Sequence, residues 1–127
     1  MRRLLLDTHA LIWWDTGSRS LGRDARAAIE NATDVFVSAA SEWEVAIKAG
    51  ITGHAFRRSV LEAVVAAGFE PLPISFQHVR AVRRLEPVHK DPFDRILVAA
   101  ALTEGLTLVS ADAMMARYPV PLIDAAK

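Results

Sequence analysis

The sequence predicts an α/β fold in which a central, mainly parallel sheet is flanked by helices on both faces. Three observations carry that expectation. Short apolar, β-leaning runs end again and again in a polar residue: RLLLD at Asp7, DVFVS at Ser38, EPLPIS at Ser75, LTLVS at Ser110 and VPLID at Asp124. Helical patterns lie between them. The 127 residues are 52% hydrophobic, enough to bury a sizeable core, and no repeat, low-complexity tract or linker divides residues 1–127, which are expected to form one domain.

Taken in order, RLLLD is followed by a short helical stretch, THALIWW, for which Asp7 can serve as the cap. GRDARAAIENA is the next helical pattern, then the run DVFVS and the helix AASEWEVAIKAG. Glu44 lies early in that helix, where it can close a capping box with Ser41 or pair with Lys48 at i+4. FRRSVLEAVVAAG, EPLPIS and FQHVRAVRRL follow; Arg80, Arg83 and Arg84 share one face of the last, which reads as a solvated face. HKDPFDRILVAAALTEG, residues 89–105, is uncharged from Ile96 to Thr103, with apolar residues on every side at helical spacing. That helix is expected to be buried all round, yet it opens with two aspartates. Asp91 suits the cap and Pro92 the first helical position, while Asp94, three residues on, resembles the far member of a capping box. LTLVS and VPLID close the series, with AMMARY between them as a short helix that Asp112 can cap.

Capping explains each acid alone but not their placement together. In open α/β sheets, ligands collect outside the carboxyl ends of the strands. Asp7, Glu44, Asp94 and Asp112 come from four separate segments, and all four can face that edge. Clustered carboxylates repel by about 1 kcal/mol per pair at 4 Å in water, and by more where the dielectric is lower. Such a cluster needs a cation. The chain has no cysteine, and its four histidines show no HxH or HExxH spacing, so thiolate and zinc sites are not expected; oxygen ligands favour a hard ion such as Mg²⁺ or Mn²⁺.

Fifteen basic residues balance fifteen acidic ones, which at first argues against a nucleic-acid partner. With four acids neutralised in one pit, eleven face fifteen bases, and the outer balance becomes +4. The basic start MRRLLLDTHALIWW has its apolar run broken by Asp7 and His9, and no stretch approaches the length of a membrane span, so a cytoplasmic protein is expected.

Four blocks, LLLDTHALIWW, SAASEWEVAIK, HKDPFDRILVAAA and LVSADAMMARYPV, resemble the PIN-domain ribonucleases, and within them the VapC-like toxins of toxin–antitoxin systems. They stand in family order across most of residues 4–120. Met115 occupies a place where an aromatic residue is frequent, and residues 50–87 match only loosely, which touches substrate choice rather than chemistry. The resemblance implies a PIN-like fold and a metal-dependent ribonuclease whose acidic quartet is Asp7, Glu44, Asp94 and Asp112. It prefers Glu44 to the neighbouring Glu42, and divides the helix-start pair into Asp91 as cap and Asp94 as ligand. Asp7, Asp94 and Asp112 are expected to hold Mg²⁺, with Mn²⁺ as a substitute, and Glu44 to orient water or hold a second ion. Thr8 and Ser110 are expected to fix carboxylate rotamers, and Arg95 to contact an RNA phosphate. Trp13 and Trp14 point about 100° apart, so at least one is expected in the core. The resemblance also implies a cognate antitoxin, an RNA substrate, products with a 5′-phosphate and a 3′-hydroxyl, and a homodimer. A housekeeping RNA-processing nuclease and a non-catalytic PIN-like interaction domain stand as alternatives. A receiver module would want paired acids after the first strand, and a HAD-like phosphatase would want Asp-x-Asp where His9 stands.

Overall fold

Leu4, Leu5 and Leu6 show how the sheet divides the molecule. They form β1 (Arg3–Leu6) with neighbours on both sides, and all three are fully buried. Successive side chains of a strand leave on opposite faces. Leu4 and Leu6 accordingly join one core cluster, and Leu5 joins the other. The computed structural model describes residues 2–52 and 59–127, with side chains up to residue 48 and again from residue 59. The opening of FRRSVLEAVVAAG, residues 56–58, lies outside them.

The remaining elements are α1 (Thr8–Thr16), α2 (Arg23–Asn31), β2 (Asp34–Ser38), α3 (Ala39–Thr52), α4 (Val60–Ala67), β3 (Glu70–Leu72), α5 (Phe76–Val82), α6 (Pro92–Glu104), β4 (Thr107–Ser110), a 3₁₀ turn (Ala113–Arg117) and β5 (Leu122–Asp124). The five strands run in the order β3-β2-β1-β4-β5, and every neighbouring pair is parallel. One face is covered by α1, α2 and α4 through Leu11, Ala25, Ile29, Ala63 and Val64. The other is covered chiefly by α6, through Ile96, Leu97, Val98, Ala100 and Ala101. The expected two-faced α/β architecture is therefore present, with every strand pair parallel.

Two elements are shorter or tighter than the sequence suggested. EPLPIS yields only three strand residues, because Pro71 and Pro73 donate no ladder hydrogen bond and Ser75 leaves to cap α5 by accepting from His78 N. Proline is tolerated there because β3 is an edge strand. AMMARY closes as a 3₁₀ turn, with Pro119 disfavouring helical geometry at Tyr118, whose φ/ψ of −97°/153° is extended. α6 ends at Gly105, whose φ of 68° lets the chain reverse directly into β4. Among the described residues, no helix is long and apolar enough to cross a membrane.

Candidate functional site

β1 and β4 are neighbours at the centre of the sheet, and the strand order continues from them in opposite directions: to β2 and β3 on one side, to β5 on the other. A parallel sheet opens a crevice at such a switch point, beyond the carboxyl ends of its strands. Asp7 is the first residue past β1, and its N–H donates to Val109 O of β4 at 3.0 Å. Its carboxylate Oδ1 accepts from Ala10 N at 2.8 Å, capping α1. Asp112, two residues past β4, likewise accepts from Met114 N at 2.9 Å and caps the 3₁₀ turn. The local explanation of both acids is correct. It does not exhaust them, because a carboxylate has about four lone-pair sites and a cap uses one. A cleft of about 420 Å³ lies over this edge, lined by Asp7, Glu44, Asp94 and Asp112 together with His9, Trp13, Lys48, His89, Asp91 and Ala111.

Glu44 is buried, and its two oxygens have different partners. Oε1 accepts from the Thr8 hydroxyl, and Oε2 pairs with Lys48 Nζ one helical turn away. Thr8 has a single hydroxyl proton and spends it on Glu44, so the 2.9 Å contact between Thr8 Oγ1 and Ser41 Oγ must be donated by Ser41. Thr8 thus links α1 to α3 through the carboxylate. Glu42 points elsewhere: its carboxylate accepts from Val60 N at 3.0 Å and Leu61 N at 3.3 Å, securing the start of α4. Two helix positions apart are about 200° apart around the axis, which is why only one of the two glutamates reaches the cleft. Ser110 hydrogen-bonds the Asp7 carboxylate, while its Oγ accepts from Asp112 N at 3.1 Å.

α6 delivers Asp94 to the same place. Asp91 caps it, with Oδ1 accepting from Phe93 N at 2.8 Å, and the other oxygen lies 3.7 Å from Lys48 Nζ, so the capping residue also borders the cleft. Arg95 turns away. Its guanidinium donates to Glu86 O at 3.0 Å, Val82 O at 3.1 Å and the Tyr118 hydroxyl at 3.4 Å, which pins the loop between α5 and α6. An Arg committed to two backbone carbonyls is not poised for the phosphate contact expected of it. Both tryptophans pack against the core, Trp14 beside Phe69, and Trp13 also borders the cleft.

The residue that sequence reasoning missed is His89. Its Nε2 lies 2.7 Å from Asp112 Oδ2 and 3.0 Å from Asp94 Oδ2. A search for His pairs at metal-ligand spacing passes over it, because its partners are carboxylates five and twenty-three residues away. The signal available was its place at the head of HKDPFD, directly before an aspartate-opened helix.

The electrostatics follow from crowding acids in a poorly solvated pit. Desolvation, with the Glu44 charge adding to it, raises the Asp7 carboxyl above its ordinary value. Asp94 is pushed up to about 7, first by burial and then by the charge of Asp91, with Glu44 and Asp7 adding to it. For Asp112, burial also works upward, but hydrogen bonds from His89 and Met114 N outweigh it and hold the carboxyl low. Lys48 is raised by its bond to Glu44. The pit is therefore short of positive charge, and its donors are carboxylate oxygens. That donor set fits a hard divalent cation.

A consequence for stability follows without any ligand. A carboxyl whose folded-state value lies near 7 rather than 3.8 stabilises the fold at low pH, and that contribution is lost as pH rises through about 7. In chelator-treated buffer, the wild-type melting temperature should fall between about pH 4 and pH 7 and level off above, by an amount corresponding to a few kcal/mol at most. Asp94→Asn should flatten that slope. A wild-type slope of the opposite sign, unchanged in Asp94→Asn, would contradict a carboxyl raised by burial at this position.

The PIN domain family profile matches residues 4–121. Ribonuclease VapC22 of Mycobacterium tuberculosis is 30% identical to this chain, over 96% of it and 98% of the relative. Among solved structures, VapBC2 from Rickettsia felis bound to a DNA fragment from its promoter superposes with a TM-score of 0.69 at 14% identity, covering 95% of this chain and 97% of that one. A toxin–antitoxin complex from Klebsiella pneumoniae does so with a TM-score of 0.66 at 22% identity, covering 96% and 97%. These structural likenesses speak for the fold, and the sequence matches speak for the lineage. The chain belongs to the PIN-domain family, among its VapC-like members.

Proposed function

We propose that the protein is a metal-dependent endoribonuclease, the toxin of a toxin–antitoxin pair, that hydrolyses RNA phosphodiesters at Asp7, Glu44, Asp94 and Asp112. The observation that carries this reading is that four carboxylates from four chain segments line one cleft at the sheet's switch point. Similarity to a protein named as a ribonuclease supports the choice of RNA. Asp7, Asp94 and Asp112 would hold Mg²⁺, or Mn²⁺ in its place. A divalent ion supplies a nucleophilic hydroxide near neutral pH and offsets charge on the phosphoryl and leaving oxygens. Around it, Ser110 and the Ala10 N–H orient Asp7, and Thr8 and Lys48 fix Glu44 so that its carboxylate can align water. The water oxygen bonds to phosphorus, the bond from phosphorus to the 3′-oxygen breaks, and that oxygen takes up a proton. The products carry a 5′-phosphate and a 3′-hydroxyl.

The toxin–antitoxin complexes among the structural neighbours support a cognate antitoxin as partner. Leu61 and Val65 are exposed on α4, beside an apolar cleft of about 280 Å³ lined by Val37, Val60, Val64 and Leu72, which suits the nonpolar face of an amphipathic segment. Phe76 and Val79 on α5 and Leu102 on α6 form a further exposed apolar set that suits self-association as a homodimer.

Expressed without a partner, the wild type is expected to arrest growth. Asp7→Ala should relieve that arrest at equal protein abundance, since it removes a ligand at the cost of the α1 cap and the Ser110 hydrogen bond. Equal toxicity of the two forms at equal abundance would show that toxicity is not nucleolytic. A harmless wild type, with no small protein encoded beside it that copurifies, would favour a housekeeping role in RNA processing.

A further inference from the structure

We infer that His89 is not a metal ligand but a positioning residue: a neutral imidazole held as the Nε2–H tautomer, whose single proton is shared between Asp94 and Asp112. His89, Asp94 and Asp112 together present donor atoms within 4.8 Å of one another, an arrangement that invites a three-ligand metal site. The far side of the ring argues otherwise. Nδ1 accepts a hydrogen bond from the backbone N–H of Asp91 at 3.2 Å. An Asp91 N–H cannot turn away, because it belongs to the residue that caps α6. Nδ1 must therefore keep its lone pair, and the ring proton resides on Nε2.

A nitrogen that carries a proton cannot donate to a metal. Nε2–H instead points at Oδ2 of Asp112 and Oδ2 of Asp94. The ring is held from its backbone as well, since His89 N donates to the Tyr118 hydroxyl at 2.9 Å, and Arg95 donates to that same oxygen. Asp112 Oδ1 is meanwhile bound to Met114 N, so both rotatable bonds of this carboxylate are set from two sides. His89 thereby joins Asp94 of α6 to Asp112 beyond β4, beside the hydrogen bond that Arg95 of α6 donates to Tyr118. The inference rests on the proposed metal site and adds two properties to it: all its protein ligands are oxygens, and its geometry is set before the ion arrives.

The test starts with the wild-type protein and no substitution. Long-range ¹H–¹⁵N correlation of the histidine rings should show His89 protonated at Nε2 and bare at Nδ1, in chelator-treated protein and again with Mg²⁺ added. A bare Nε2 in the Mg²⁺-loaded protein, or a proton on Nδ1, overturns the inference. Calorimetric titration with Mg²⁺ provides a second readout. His89→Ala should weaken binding by roughly 10- to 100-fold, the usual effect of losing a partner that orients a ligand. His89→Gln keeps an N–H donor and should recover most of that loss, whereas a Gln variant as weak as the Ala variant would overturn the positioning role. Neither readout depends on RNA. If Mg²⁺ binds and the ring behaves as stated while no RNA is cut, the ribonuclease reading fails and the role of His89 stands. Absence of any Mg²⁺ binding defeats both.

Discussion

Asp94→Asn is expected to lower RNA cleavage by roughly 10²- to 10³-fold, while Asp91→Asn stays within about threefold of the wild type. The two residues stand one helical turn apart at the head of α6 and look interchangeable in the sequence. Asp91 Oδ1 receives the Phe93 N–H, a bond that an asparagine side-chain oxygen accepts equally well. Asp94 makes no capping bond among the described contacts; its carboxylate faces His89 inside the cleft. An amide there removes a negative ligand and with it much of the attraction for a cation. The same substitution should leave the fold intact or make it more stable above pH 7, because it deletes a carboxylate that burial and neighbouring charge disfavour. Loss of activity together with unchanged or raised melting temperature is the signature to look for. Equal loss in both variants would mean that the capping residue also serves the chemistry.

Complete removal of divalent ions should abolish cleavage, and Mg²⁺ or Mn²⁺ should restore it. Four carboxylates in one pit leave Lys48 as the cation bordering it, and that residue is already engaged with Glu44 and Asp91. A phosphodiester adds another negative charge. Without a cation, the approach of that phosphate costs several kcal/mol at the reduced dielectric of a cleft, and the hydroxide that a bound divalent ion would supply near neutral pH is lost. The measurement is mapping of new 5′ ends in total RNA after incubation in chelator, and again after each ion is added back. Cleavage that persists unchanged after thorough chelation would sink the proposed chemistry.

The order of elements, the carboxyl ends of the strands and the convergence of four acids on one edge were all legible in the sequence, because each follows from periodicity and from the geometry of parallel sheets. Three features were not, each for a physical reason. His89 sits in a loop with no repeating pattern, and its contacts to Asp94 and Asp112 exist only once α6 and β4 are docked. Arg95 was expected to follow its neighbour Asp94 toward substrate, but adjacent helical residues diverge by about 100°, and the carbonyls of Val82 and Glu86 capture its guanidinium. Lys48 was legible as an i+4 partner of Glu44, yet its nearness to Asp91 depends on how α3 packs against α6. Local spacing names residues; packing decides what they face.

The pairing of β1 with β4 brings Leu6 beside Val109 across more than a hundred residues of chain. Contacts of that sequence separation are slow to form, since a long loop must close before they return any energy. At a synthesis rate of about 5–20 residues per second, Asp112 is made roughly 5–20 seconds after Asp7. Until then the growing chain holds at most three of the four acids, and Ser110 and the edge against which Asp7 is fixed arrive only with β4. Under the proposed activity, a nascent chain that has not reached Asp112 carries no complete acidic site, and the message being read is safe from its own product until that residue is made.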